Sequence, residues 1–257
     1  MKKLSVLLFF ILLVPAIITV SRAEETPAGS QAIVFGANHD ESTYVGKLAW
    51  LVYTEAFKRL KMPFKIRIFP LKRLEMSTRA GLVDGDIART ALWGEGRDDL
   101  IRIKEPIMYL NFSLYSADPA VVINRPSDIS EKKLTIKYPR GMKVCEKFAK
   151  EILPQKQVDD VTTTEDGVRK ILVRNIYLLC DLDANVDTFL HSSVLKERDA
   201  SKIKRVFYLE SKVPIYPYLL KKHVQLAQKL TRVLKQMRTE GLLDKYQKQV
   251  DREFSRK

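Results

Sequence analysis

Apolar and polar positions along this chain switch between two periods, and the switches outline most of its elements. Ala32 to Asn38 is a short apolar run of the kind that forms a buried strand, ended by the turn formers Asn38, His39 and Asp40. Tyr44 to Leu60 changes to helical spacing, with Leu48, Leu51, Val52, Ala56 and Leu60 on or near one face, and Lys61-Met62-Pro63 closes it. Phe64 to Phe69 alternates apolar and basic residues, the pattern of a half-exposed strand, and Pro70 stops it. Leu71 to Ala80 reads as a second helix with Gly81 at its C-cap. After the Asp84-Gly85 turn, Asp86 to Thr90 is a third short strand. This β-α-β-α-β order predicts an α/β fold built on an open, mostly parallel sheet flanked by helices.

A charged, glycine-containing loop from Trp93 to Lys104 and a strand from Asn111 to Ser116 lead to Asp118-Pro119, where the pattern restarts. Lys133 to Tyr138 is a strand, Pro139-Arg140-Gly141 a turn, and Met142 to Leu153 a helix. Val158 to Thr163 is a strand, Thr164 to Val173 a helix opened by Thr164-Glu165-Asp166, and Ile176 to Cys180 another strand. Arg205 to Leu209 then reads as a strand returning to the first unit. His223 to Glu240 is amphipathic, its stripe made of Leu226, Leu230, Val233, Leu234 and Met237, and a shorter basic helix follows Gly241. Two lobes are therefore expected, residues 24–117 with 207–257 forming the first and 118–206 the second.

The first 23 residues have a different character. Lys2 and Lys3 precede an apolar stretch from Leu4 to Val20, and Ser21-Arg22-Ala23 supplies small residues at the −3 and −1 positions of a cleavage site. That is the layout of a secretory signal peptide, and Pro15 weakens the alternative of a membrane anchor. Removing 23 of the 257 residues leaves 234, and removing Lys2, Lys3 and Arg22 lowers the formal charge from +14 to about +11. An apolar content of 46% argues against disorder. Export argues against a nucleic-acid partner, so the dispersed basic residues are read as a solvated surface with some arginines reserved for an anionic ligand or for anionic membrane heads, between which charge alone does not choose.

Export also places Cys145 and Cys180 in an oxidising compartment, where either a disulfide or two buried thiols is open. The three histidines, His39, His191 and His223, show no metal-ligand spacing with one another or with the cysteines. No nucleophile elbow and no Walker loop occurs, and neither a cofactor nor a metal is expected.

Four segments in order carry a resemblance to a known family. They are Phe69-Pro-Leu-Lys-Arg73, Gly81-Leu-Val-Asp-Gly-Asp-Ile-Ala-Arg89, Arg102-Ile-Lys-Glu-Pro-Ile107, and Ile215-Tyr-Pro-Tyr-Leu-Leu-Lys-Lys-His223 with the helix ending Arg238-Thr-Glu-Gly241. Together they resemble the bacterial extracellular solute-binding proteins of family 3, the amino-acid-binding periplasmic receptors of the type II periplasmic binding fold. The resemblance runs from about Ile33 to Tyr246. It implies two α/β lobes joined by two crossovers, a small polar solute enclosed between them, a monomer, and delivery to the membrane permease of an ABC transporter or docking on a membrane sensor. An enzymatic relative, the periplasmic cyclohexadienyl dehydratases, is the alternative, although a general acid beyond Glu95 or Asp181 is hard to find. Two segments depart from the pattern: Arg174-Asn-Ile-Tyr177 stands where Gly-Arg-x-Asp is common, and Gly94-Glu-Gly-Arg97 where the carboxylate-binding Thr-x-x-Arg is usual. Both departures argue against an α-amino acid ligand.

In open α/β sheets, ligands sit beyond the carboxyl ends of the strands. That rule selects Asn38, His39 and Tyr44 after the first strand, Arg73 after the second and Arg89 at the end of the third. From the second unit it selects Arg140, Gly141, Thr163 and Asp181. Arg89 is the leading candidate, because a guanidinium holds a carboxylate with two parallel hydrogen bonds; its competing role is an ion pair with Asp84 or Asp86.

Overall fold

The computed structural model describes residues 32–173 and 177–254. The expected signal segment, and residues 174–176 of the Arg174-Asn-Ile-Tyr177 departure, lie outside the described residues. Strand β1 (Ile33–Ala37) leads into helix α1 (Tyr44–Leu60), β2 (Phe64–Ile68), α2 (Leu71–Arg79) and β3 (Gly85–Arg89), the β-α-β-α-β unit read from the sequence. β1 pairs in parallel with both β2 and β3. The Thr43 side chain caps α1 by accepting from the Gly46 N–H at 3.1 Å. Gly46 is required there, since a Cβ at that position would lie 1.8 Å from the Asp40 carbonyl oxygen. The loop that carries His39 is thereby folded back tightly on the helix start.

The second unit follows β4 (Leu100–Arg102) and β5 (Met108–Ser116). It comprises α3 (Ser127–Glu131), β6 (Thr135–Pro139), α4 (Lys143–Ile152), β7 (Val158–Val161), α5 (Thr164–Val173), β8 (Tyr177–Leu182), α6 (Asp183–Leu190) and α7 (Glu197–Ala200). β6 lies between β7 and β8 and is parallel to both. The chain returns through β9 (Lys204–Leu220) and ends in α8 (Val224–Thr239) and α9 (Leu242–Phe254).

All the strands belong to one curled sheet in the order β2-β1-β3-β9-β5-β8-β6-β7, with β4 also on β9. β9 is the element that joins the two units. It runs antiparallel to β3 and β4 near its end and to β5 along its earlier part. The β5–β9 ladder shifts register near Leu110 and Phe112, where Lys212 takes a left-handed φ of 52° and donates its N–H to Asn111 Oδ1 at 2.9 Å. Asp118-Pro119, where the pattern restarts, follows β5 directly.

The main differences from the sequence reading lie around β9. The expected strand Arg205–Leu209 is 17 residues long, because the ladder passes through Pro214 and Pro217. Those prolines donate nothing, yet the Pro217 carbonyl still accepts from Ile103 N–H at 2.9 Å. The expected loop Trp93–Lys104 contains β4, a three-residue strand too short to show a period. α3, α6 and α7 are additional short helices without a clear apolar stripe in sequence.

A large apolar core runs beneath both units, with Phe35, Tyr53 and Phe57 in edge or stacked contact on the α1 side. A smaller cluster around Val161, Val168, Ile171, Leu179 and Val186 seals α5 and α6 onto the far strands. Cys145 of α4 and Cys180 of β8 form a disulfide, both fully buried, and so tie a helix to the sheet beneath it. Among the described residues, no helix is long and apolar enough to cross a membrane.

Candidate functional site

The carboxyl ends of β1 and β3 and the N-terminus of α4 face one half-enclosed cavity. Asn38 and His39 follow β1; Arg89 and Thr90 close β3; Gly141, Met142, Lys143 and Val144 open α4. Leu110, Phe112, Leu182 and Ile215, from β5, β8 and β9, make its apolar floor. Gly141 has a φ of +96°, so a residue with a side chain would be strained at the turn into α4.

Arg89 is 7% exposed, and its Nε donates to Asp86 Oδ2 at 2.6 Å. Its guanidinium carbon lies 4.7 Å from the Trp93 ring centroid. Its Nη2 is buried without a partner. A buried guanidinium nitrogen left unpaired costs free energy that an incoming acceptor would recover. Asp86, 1% exposed, also accepts from the Ala88 N–H at 3.1 Å. Burial pushes the Asp86 carboxyl up, while Arg89 beside it acts in the opposite direction.

Behind Arg89, Trp93 meets a second guanidinium, that of Arg97, at 4.9 Å and packs edge-on against Tyr218. Arg97 forks onto Asp99, with Nε and Nη2 at 2.7 and 2.6 Å from the two carboxylate oxygens. Tyr218 donates its hydroxyl to the Thr90 carbonyl at 3.1 Å. Trp93 is therefore a platform on which the Arg89 guanidinium rests while Asp86 holds its Nε.

His39 contacts Asn38 Nδ2 through Nε2 at 2.8 Å, an arrangement in which the amide donates to a neutral ring. Burial, and then the positive charge of Arg89, push the imidazole down to about 4, with Asp40 opposing them. Across the cavity, α4 has no side-chain cap at Met142, so its first-turn N–H groups add positive potential to that wall, while Lys143 there is paired with Glu146 at 2.9 Å.

A wider opening shares Asn38, His39, Leu71 and Met142 with this cavity and adds Thr162, Thr163 and Thr164. Thr163 Oγ1 accepts from the Asp166 N–H at 3.1 Å and so is engaged at the start of α5. The structure thus brings Asn38, His39, Arg89 and Gly141 to one cavity and Thr163 to the adjoining one.

The remaining candidates lie elsewhere. Arg73 is exposed on α2 and lines neither opening. Arg140 is also exposed, with Nε 2.8 Å and Nη2 2.7 Å from Asp160 Oδ1. Tyr44 donates to Asp251 at 2.7 Å and packs against Phe254 of α9, on the wall of a separate cavity. Asp181 is fully buried and accepts from Thr164 Oγ1, Asn185 Nδ2 and the Leu182 N–H at 2.7, 2.9 and 2.7 Å. Burial pushes its carboxyl up to about 6 against those three donors.

Sequence reasoning passed over Lys143 and the floor residues Leu110, Phe112, Leu182 and Ile215. For Lys143 a signal existed, its place two residues after the Pro-Arg-Gly turn at a helix start. For the floor there was none, because apolar strand residues read alike wherever they face. Among the described residues, no cluster of His, Cys, Asp and Glu is arranged to hold a metal ion.

No family model matches the chain. A protein of Shewanella oneidensis described only as uncharacterized is 26% identical over 236 residues, spanning 92% of this chain and 87% of its own. Among solved structures, a histidine kinase sensor domain with similarity to periplasmic binding proteins superposes with a TM-score of 0.69 at 14% identity, covering 85% of this chain and 95% of the other. The substrate-binding protein of an amino acid ABC transporter gives 0.66 at 18% identity, with 86% and 98% covered. The chain has the two-lobed periplasmic-binding-protein fold. An amino acid ABC transporter substrate-binding protein of Streptococcus pneumoniae bound to L-arginine is a further neighbour, at 0.67 and 12% identity, covering 87% of this chain and 95% of that one. In this fold the cavity described above lies where strand ends and helix starts of both units meet, as expected for open α/β sheets.

Proposed function

We propose that this protein is a periplasmic solute-binding protein that captures a small anionic or zwitterionic solute between its two α/β lobes and delivers it to an ABC-type membrane transporter. One observation carries the reading: a buried arginine, fixed by Asp86 and Trp93 and with its Nη2 unpartnered, lines a cavity that an uncapped helix N-terminus faces from the other unit. An anion bound there would be held from both units, and so would stabilise the closed arrangement by the difference between its affinities for closed and open states. Residues 24–117 with 207–257 would form one lobe and 118–206 the other, with the N-terminal 23 residues acting as the export signal. The role is binding rather than catalysis. Arg89 with Asn38, His39, Gly141 and Thr163 forms the proposed ligand set, and the protein acts as a monomer.

A second reading shares the same site. The sensor domain of a histidine kinase is among the structural neighbours, which favours a soluble receptor that docks on a membrane sensor instead of a permease. Both readings need the same first experiment, a thermal-shift screen against amino acids, small carboxylates, polyamines and sugars. A ligand at about 100 times its dissociation constant adds roughly 2.7 kcal/mol of stability. A hit recovered unchanged after incubation supports the receptor. A hit that is consumed overturns it in favour of an enzyme, and a screen in which nothing shifts the midpoint removes the solute-binding reading. Co-purification of the loaded protein with a permease or with a sensor then separates the two docking roles.

A further inference from the structure

We infer that the cavity is built for a monocarboxylate with an apolar body and no ammonium group, and that it discriminates against α-amino acids. The inference rests on the receptor reading and specifies the ligand class of that same site.

Charge on the cavity wall is of one sign. Arg89 and Lys143 are its charged side chains, Lys143 being paired with Glu146 at 2.9 Å, and the N-terminus of α4 adds to them. The carboxylates around it have internal donors: Glu146 takes Lys143 and Lys150 at 2.9 and 2.7 Å, and Asp40 accepts from the Ser42 N–H and hydroxyl. Asp86 is spent on Arg89 and the Ala88 N–H. Asp181 is fully buried beneath three donors. Asp183 accepts from the Tyr115 hydroxyl at 2.7 Å and from Arg205 at 3.1 Å. In the adjoining opening, Glu165 pairs with Arg169 at 2.9 Å.

An α-amino acid carries its ammonium and its carboxylate on one carbon. With the carboxylate on Arg89, the ammonium would sit within a few ångströms of that guanidinium, in a site of low polarity. No wall carboxylate would compensate it there, and like charges strongly disfavour such an approach. The neutral His39 ring offers no help, because its Nε2 lone pair is already taken by Asn38.

The rest of the wall selects the body of the ligand. Leu110, Phe112, Leu182 and Ile215 line the floor, with Val45 beside them. Apolar groups buried against such a floor gain from leaving water. A cationic end and an apolar floor together describe a branched-chain or aryl-alkyl carboxylate.

Matched ligand pairs test this on the wild-type protein produced from its full-length sequence. Calorimetry would compare 4-methylpentanoate with leucine, and 3-phenylpropionate with phenylalanine, with 4-methylpentanamide as the uncharged control. The acids are expected to bind at least about ten-fold more tightly than the amino acids and the amide, the scale of one charge-assisted hydrogen bond. Arg89→Lys, which keeps the charge but loses the fork, should weaken the acids by a similar factor. The wild-type comparison decides the question even where that variant does not fold. Amino acids that bind as tightly as their acids would overturn the inference and leave the receptor standing. So would a solute of another class that binds where neither acid does. If no member of the wider panel binds, both the inference and the receptor reading fail, so the two failures are distinguishable.

Discussion

Arg89 and Arg140 occupy equivalent places, one at the carboxyl end of a parallel strand in each unit, and they have opposite fates. Arg89 ends β3 with its side chain 6% exposed, locked between Asp86 and Trp93, with one nitrogen unpaired. Arg140 follows β6 with its side chain 60% exposed and pairs with Asp160, itself partly open to solvent. The strand-end rule locates both positions but does not set the direction of either side chain. What separates them is the next few residues. Thr90 to Trp93 fold into a short turn that places an indole beside Arg89, whereas Gly141 turns the chain immediately so that its backbone and Lys143, not Arg140, face the cavity. The direction of a strand-end arginine is thus set by its platform as much as by its position.

The largest effect should come from breaking the buried side of this comparison. Arg89→Met leaves Asp86 without its counter-charge in the interior, so it should cost about 3–5 kcal/mol of stability in addition to ligand binding. Adding Asp86→Asn should restore much of the stability but none of the binding. Denaturant unfolding and calorimetry on the single and double variants would show this, and a double variant that binds like wild type would remove Arg89 from the site.

Removing the disulfide ranks next. Converting Cys145 and Cys180 to alanine opens a crosslink spanning 35 residues. By chain entropy that should cost about 3–4 kcal/mol, read as a lower urea midpoint. Because α4 carries the cavity's N-terminal wall, ligand affinity should fall as well if the crosslink also holds that wall in place.

Two titrating groups, one in each unit, sharpen the comparison through pH. His39, held at about 4, contributes stability that is complete above its ordinary 6.5 and is lost as pH falls towards 4. Asp181, raised to about 6, contributes stability that is present below its ordinary 3.8 and is lost as pH rises through 6. Between pH 4 and 6 the two slopes oppose each other, each amounting to no more than about 3 kcal/mol. Thermal midpoints relative to wild type should therefore rise on acidification for His39→Gln and rise with pH for Asp181→Asn. Parallel profiles for the two variants would refute the opposition.

Arg140→Ala should have the smallest effect, a midpoint and a ligand affinity indistinguishable from wild type, since an exposed pair contributes little. A many-fold loss of affinity would place Arg140 in the site after all and erase the contrast with Arg89.

Much of this architecture was legible in the sequence. Tyr44–Leu60 and Thr164–Val173 form helices over the predicted residues, the first read from its apolar spacing and the second from its Thr164-Glu165-Asp166 opening. β9 was only half legible: Pro214 and Pro217 look like breakers, and only the tertiary ladder shows that their missing N–H groups are tolerated. For the cavity, the strand-end rule reached Asn38, His39, Arg89 and Gly141. Arg73 and Tyr44 satisfied the same rule and turned elsewhere, one towards solvent and one towards Asp251. Direction is set by partners distant in sequence: Tyr44 meets residues of α9 some two hundred positions later. A single chain read locally carries no trace of such pairings.

The long strand β9 has a mechanical consequence. Hydrogen bonds run along it from Lys204 beside β5 to Leu220 beside β4, so the two units share one continuous ribbon and cannot slide past each other without breaking its ladder. Relative motion is left with bending and torsion, and both concentrate where the ribbon is already irregular, at Asn111 and Lys212. That irregularity is the weak section of an otherwise stiff beam. The length of ribbon from there to the floor residues Phe112 and Ile215 is short, so a small twist at the pivot would be passed almost undiminished to the cavity itself.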